Sequence, residues 1–322
     1  MREEPPSSLR HRRTSSAGSK VAAAEATLAS VAGDVENKVE EALLLLWDEL
    51  PHWRRDNAYI RGGYRPTSRS YLHSFASVGY LHNESVNIWS HLLGAVAAAA
   101  TAYATLVLTV APRFAAADPA DRLVFACFFA GALLCLGMSA TFHTLCNHSP
   151  EVATWANKLD YSGIVFLIVG SYVPALYYGF FCLPRLMMVY LAMIVLLGLC
   201  CLVVSWFDHF RTPAWRPYRA LIFVGLGLSG VVPVIHGMGI YGIAALDERM
   251  GLRWVVLQGA LYIFGAFLYA IRWPERLSPG TFDIWGSSHQ LFHICVLLAA
   301  ASHLHGMTKA FDFYHSAMGA WC

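Results

Sequence analysis

The sequence predicts an all-α membrane protein, a seven-transmembrane helix bundle with a cytoplasmic N-terminus, preceded by one amphipathic helix. Three observations carry that prediction. Of 322 residues, 57% are hydrophobic and only 14% are charged, against about 25% charged in an ordinary soluble domain. The apolar residues gather into seven runs, each close to the roughly 20 residues that a helix needs to cross a bilayer. The basic residues divide unevenly between the two sets of connectors.

Composition also narrows the function classes. A net charge of +2 is too small to argue for nucleic acid as a partner. The eight cysteines lie mostly inside apolar runs and form no C-x-x-C pair, so neither a disulfide framework nor a zinc finger is expected.

Along the chain, residues 1–23 are rich in Ser, Arg and Pro and read as disordered. Residues 24–50 read as an amphipathic helix. Val35, Val39, Ala42, Leu43, Leu46 and Leu50 follow three–four spacing, and Pro51 ends the run. Glu36, Glu40, Glu41 and Asp48 occupy its other face, which suits an interfacial or domain-packing helix better than a span. A juxtamembrane segment, 51–85, leads into a transmembrane domain over 86–308. Its spans are placed near 86–110, 123–145, 159–181, 186–207, 220–245, 254–272 and 286–308, and residues 309–322 form a short extracytoplasmic tail. Pro112, Asp118 and Pro119 break the first pair of spans. Ser149 is an expected N-cap, with Pro150 at the first helical position of the third. Pro174 and Pro233 are expected kinks, and Gly225, Gly227 and Gly230 are expected to let helices pack closely.

Orientation follows from the connectors. From Arg54 onward, eleven Lys and Arg fall on the N-terminal side and six on the other, which places the N-terminus in the cytoplasm. The protein is therefore expected to be integral and multi-pass, in the plasma membrane or endoplasmic reticulum.

In such a topology, the end of each even span lies level with the start of each odd one. Span two ends in "SATFHTLCNH", span three opens with "NKLDYSGIVFL" and span seven with "SSHQLFH". Ser139, His143, Asp160, His289 and His293 therefore share one depth beside one leaflet. His289 and His293, four residues apart, stand on one helical face. With His143 they form a set of three imidazoles, a common ligand set for catalytic zinc with water in the fourth position. Copper, iron and nickel accept the same donors. Asp160 is placed to take a proton from such a water and Ser139 to hydrogen-bond beside it. Ionisable groups inside a membrane are costly and usually functional, yet packed, hydrogen-bonded histidines are common. His91 lies at a compatible depth and competes for the same role, whereas His236, His303 and His305 lie elsewhere. Asp160 also suits a helix N-terminus, and Ser139 suits helix packing. The box "HNESVNIW" reads as a cap: His82, Asn83, Glu84 and Asn87 close the start of span one and tie it to its neighbours.

The boxes "HNESVNIW", "LDYSGI" and "SHQLFH", in this order and spacing, resemble the progestin and adipoQ receptor family, also called haemolysin-III-related, and within it the adiponectin receptors and their fungal and plant heptahelical relatives. The resemblance covers residues 50–306 and leaves the first 49 unmatched. It implies a seven-helix bundle with a cytoplasmic N-terminus. It also implies zinc held by His143, His289 and His293, with Ser139 and Asp160 beside the metal water. Two functions follow from it. One is a zinc-dependent hydrolase that cleaves ceramide-like lipids to free fatty acid and sphingoid base, linked to lipid and zinc homeostasis. The other is a signalling receptor for an extracellular protein ligand or a lipid, in which the zinc is structural.

Overall fold

The computed structural model describes residues 44–108, 117–207 and 215–316, with isolated positions at 22, 23, 27 and 210. All but two residues of the expected disordered segment 1–23 and most of the expected helix 24–50 lie outside the described residues, as do residues 317–322 of the expected tail. Among the described residues the regular elements are helices, and the one β pairing is an isolated bridge between Leu45 and Tyr64.

The helices are α1 (Tyr71–Ala76), α2 (Ser85–Tyr103), α3 (Pro119–Leu145), α4 (Pro150–Phe180), α5 (Pro184–Trp206), α6 (Arg216–Leu228), α7 (Val231–Met250), α8 (Leu252–Ile271) and α9 (Ser288–Tyr314). Among the described residues, six stretches are long and apolar enough to cross a membrane: α3, α4, α5, Leu221–Met250 through α6 and α7, α8 and α9. With α2 they make the seven-helix bundle. The α2 helix opens with Ser85, Asn87, Ser90 and His91, and these polar turns dilute its apolar character. Predicted helix starts hold where the capping chemistry is clear. Ser149 accepts the amide of Val152 at 3.4 Å ahead of Pro150, and Asp118 and Asp121 form a reciprocal capping box ahead of α3.

Several boundaries differ from expectation. Residues 45–50 are not the end of an α-helix. Leu45 and Tyr64 exchange backbone hydrogen bonds at 2.7 and 3.1 Å, and Trp47–Glu49 make a single 3-10 turn. Pro51 favours an extended Leu50, and Leu50 buries against Ile60 and Tyr64 in a small satellite core. Leu45 and Trp47 pack against the same cluster, whereas Leu46 is exposed, so the helix-like spacing of Leu46 and Leu50 does not mark a shared face. The α4 helix begins nine residues before its expected span, and α9 continues to Tyr314, past the predicted end at 308. Pro233 accompanies a break in span five, as expected, because it cannot bond the Ser229 carbonyl one turn earlier. It sits in the first turn of α7, where the missing amide costs little, and the chain breaks at Ser229–Gly230 and again at Gly242, with φ of 76°. Tyr172 of α4 donates from its hydroxyl to the Gly227 carbonyl at 2.6 Å, satisfying a helix end left open by the first break.

Glycine sets the central register. A Cβ on Gly131 would lie 2.5 Å from the Phe166 carbonyl oxygen, one on Gly163 would lie 2.8 Å from the Cys135 Cα, and one on Gly170 would lie 2.6 Å from the Cys127 carbonyl oxygen. These three contacts bring the backbones of α3 and α4 together. Each step toward the end of α3 meets a step toward the start of α4, so Ser139 falls opposite Asp160. Gly230 packs closely as expected, with Tyr172 2.5 Å from its notional Cβ. At Gly225 and Gly227 nothing lies within 4 Å, so these two do not serve helix packing.

This contrast is testable. Gly163→Val should destabilise the bundle by about 1–3 kcal/mol through overpacking. Gly225→Ala should leave stability unchanged or raise it by about 0.5–1 kcal/mol. Thermal unfolding of the purified protein in one detergent, followed by loss of the monodisperse peak, orders the two.

Candidate metal centre

His143 stands in the last turn of α3, where helical carbonyls lack intrahelical donors. Arg65, fully buried, fills that need. Its guanidinium donates to the His143 carbonyl at 2.6 Å, the Thr144 carbonyl at 3.1 Å and Ser77 Oγ at 2.7 Å. The start of α9 is clamped in a complementary way. Buried Glu275 accepts the Ser288 amide at 2.8 Å, the Ser288 hydroxyl, and Asn57 Nδ2 at 3.1 Å. Two helix ends from opposite halves of the chain are thereby fixed beside each other. His289 and His293 lie in the first two turns of α9.

The structure brings the three predicted imidazoles together. Each ring centroid is 4.9 Å from the other two, and one ligand nitrogen from each lies within 4.8 Å of the others. The outward nitrogens are engaged. His143 Nδ1 is 2.8 Å from Glu84 Oε2. His293 Nδ1 is 3.2 Å from the Asn87 carbonyl and 3.3 Å from Ser90 Oγ. His143 Nε2 is buried with no hydrogen-bond partner. A nitrogen left bare at the centre of a triad, while its opposite nitrogen is held by a carboxylate, is the arrangement that a bound metal requires. The donor set fits a divalent ion such as zinc.

Asp160 and Ser139 border the same space, as the α3–α4 register requires, and the Ser139 hydroxyl lies against the Asp160 carboxyl. His91 is close but is not part of the triad. Its ring stacks on His293 at 3.6 Å with 3° between planes, and both its nitrogens lack partners. His236 bonds Tyr190 Oη at 2.7 Å, His303 bonds Gln258 at 2.8 Å, and His305 packs on Trp254.

Sequence reasoning placed Glu84 in a cap, and it does more. Its side chain, held by Asn87 Nδ2 at 2.7 Å, reaches from the start of α2 to His143. Its own amide donates to His82 Nδ1 at 3.0 Å. Burial, aided by the nearby Arg65 charge, pushes the His82 pKa down to about 3, so that ring stays neutral and able to accept. The usable signal for Glu84 was a carboxylate at the depth of three clustered histidines, since metal-binding histidines commonly lean on one. Arg65 and Glu275 left no signal, because each acts on backbone or on a serine far away in sequence.

The triad opens into a cavity of about 630 Å³ lined mainly by apolar side chains of α4, α6, α7, α8 and α9. Residues 79–304 match the model of a family described as "Haemolysin-III related". The chain belongs to the haemolysin-III-related family. It is 44% identical over 278 residues to the ADIPOR-like receptor IZH2 of Saccharomyces cerevisiae, covering 85% of this chain and 86% of that one. It is 42% identical over 294 residues to the adiponectin receptor protein of Drosophila melanogaster, covering 88% of this chain and 65% of that one. Heptahelical transmembrane protein 1 of Arabidopsis thaliana is 36% identical over 265 residues, covering 81% and 79%. This haemolysin-III-related chain is thus an adiponectin-receptor-like, multi-pass membrane protein with three histidines placed to share a metal ion.

Arg65→Met keeps the side-chain bulk but leaves the His143 and Thr144 carbonyls without that buried donor. It should destabilise the protein by on the order of 3 kcal/mol, read as a lowered unfolding temperature in detergent.

Proposed function

We propose that the protein is a zinc-dependent intramembrane hydrolase that cleaves the amide bond of ceramide-like lipids, giving a free fatty acid and a sphingoid base. The observation that carries this reading is the partnerless, buried Nε2 of His143 inside a three-imidazole cluster that opens into an apolar cavity. His143, His289 and His293 would hold the ion. When bound, zinc supplies a Lewis acid and a water whose pKa falls toward about 7. Asp160 would accept a proton from the nucleophile and return it to the departing amine nitrogen. The Ser139 hydroxyl would donate to and orient the Asp160 carboxylate and, once Asp160 holds the proton, would be free to donate to the developing oxyanion. The apolar walls take up the lipid chain and keep bulk water from the reacting carbonyl.

A second reading has support of a different kind. The Drosophila relative is named an adiponectin receptor, which favours a signalling role in which the same metal fixes α3, α4 and α9 and the ligand is an extracellular protein or a lipid. Both readings require the triad, and they part at Asp160.

Elemental analysis and turnover of purified protein separate them. Alanine at His143, His289 or His293 should abolish zinc binding. Asp160→Ala should retain zinc and lose about 10²–10⁴-fold in ceramide hydrolysis. Normal zinc content with no hydrolysis in the unmutated protein would instead favour the receptor.

The Glu84 contact gives a further prediction. Glu84→Ala should weaken zinc affinity by about 10–100-fold, measured by competition with a chromophoric chelator. Unchanged affinity would show that the carboxylate only caps α2.

A further inference from the structure

The cavity has polar groups at two levels. Beyond the triad its wall turns apolar at Leu167 and Val296, then polar again at Ser171, Gln258, Tyr262 and His303. Two helices give the same separation. Ten residues along α9 from His293 to His303, and eleven along α4 from Asp160 to Ser171, each amount to about 15 Å of helix.

The far cluster is incompletely paired. His303 is buried, and its Nδ1 is 2.8 Å from Gln258 Oε1. Its Nε2 has no hydrogen-bond partner, although the Ser171 backbone is close by. The Tyr262 hydroxyl, one helical turn from Gln258 and beside its side chain, is also buried, with no hydrogen bond of ordinary geometry. An unpaired buried polar group is a standing cost to the fold, and here two of them border one end of one cavity. Because Gln258 Oε1 accepts, His303 Nδ1 carries the proton and Nε2 presents a bare lone pair. Tyr262 presents an O–H that both donates and accepts. An acceptor and a donor together match a hydroxyl group, which gives one hydrogen bond and takes another. A ketone or ether oxygen would satisfy Tyr262 alone.

We propose that this far end is a hydroxyl-binding subsite, and that the preferred lipid carries a hydroxyl along its chain, well away from the polar head at the triad. An extended chain advances about 1.2 Å per bond, as a peptide does over its three bonds per residue, so the hydroxyl falls about ten to thirteen bonds from the head. The assignment rests on the lipid-cavity reading above but not on turnover.

The test is equilibrium binding of three fatty acids to the purified, full-length, zinc-loaded protein, by displacement of a fluorescent fatty acid. The acids are octadecanoic, 2-hydroxyoctadecanoic and 12-hydroxyoctadecanoic. The 12-hydroxy acid should bind about tenfold more tightly than either of the others, the gain expected for one well-made hydrogen-bonded pair. Tyr262→Phe, which keeps the ring and so the packing, should remove most of that preference without weakening octadecanoic acid, and His303→Leu should do the same. Equal affinities for the three acids in the unmutated protein would overturn the proposal and point to a bound water at the subsite. So would a preference that survives both substitutions, or no binding of any of the three. If Asp160→Ala and the unmutated protein both fail to hydrolyse ceramide while the 12-hydroxy preference stands, the hydrolase reading falls and the subsite remains. Hydrolysis without the preference gives the reverse.

Discussion

Three imidazoles buried together in a membrane bundle are unfavourable unless every nitrogen is occupied, and most of the surrounding structure is arranged around that requirement. Glu84 takes one outward nitrogen, the Asn87 carbonyl and Ser90 hydroxyl take another, and His91 lies flat on the far face of His293. The inward Nε2 of His143 has nothing among the described residues to bond it. A polar atom abandoned in an apolar interior costs free energy, so its persistence is best explained by a ligand outside the polypeptide. The outward contacts then have a purpose beyond packing, since they fix each ring's tautomer and aim.

The rings can be aimed only if the helices carrying them are held in register. The α3–α4 pair is locked along its length by Gly131, Gly163 and Gly170, each replacing a side chain with close backbone contact. The α2 and α9 helices meet at Gly94, where a Cβ would lie 2.5 Å from Leu297. Arg65 and Glu275 then finish the two helix ends that carry ligands. Both lie in segments that sequence reading treats as connectors, and both are charges buried outside the spans. In the hydrocarbon layer the helices satisfy their own backbone. At their ends they do not, and there the protein places its most buried guanidinium and carboxylate.

How much of this was legible in the sequence depends on the range of the interaction. The spans could be read because apolar length is a local property, and the shared depth of His143, Asp160 and His289 could be read because alternating topology converts order along the chain into level in the membrane. The four-residue spacing of His289 and His293 gave their common face directly. Residues 45–50 misled, because of the two leucines spaced for a helix face only Leu50 is buried, in a small core against Ile60 and Tyr64, while Leu46 is exposed. Gly225 and Gly227 misled too, since glycine that permits contact, as Gly230 does, and glycine that borders empty space look alike without neighbours. Glu84 was visible as a charge at the right depth, yet its bond crosses 59 positions of sequence to His143, and no local rule gives the partner.

The bundle divides into a tight half and a loose half, and the cavity lies along their boundary. In the spans α3, α4 and α9, between 44% and 56% of the apolar window is buried within the protein, whereas in α5, the α6–α7 span and α8 the share is 17% to 22%. The ligand histidines, Asp160 and Ser139 all belong to the tight half, where small displacements are resisted by backbone contact on several sides. The loose half contains the two breaks in span five, and Gly227 and Gly259 border the cavity with open space where a side chain would point. A site that must keep three nitrogens within a few ångströms needs the first environment. A chamber that must admit a long, apolar molecule from the bilayer needs the second, because lipid can replace helix contacts there at little cost. Placing the three-histidine cluster on the rigid side and the helix breaks on the other would let the protein yield to a lipid, as proposed, without disturbing the histidines.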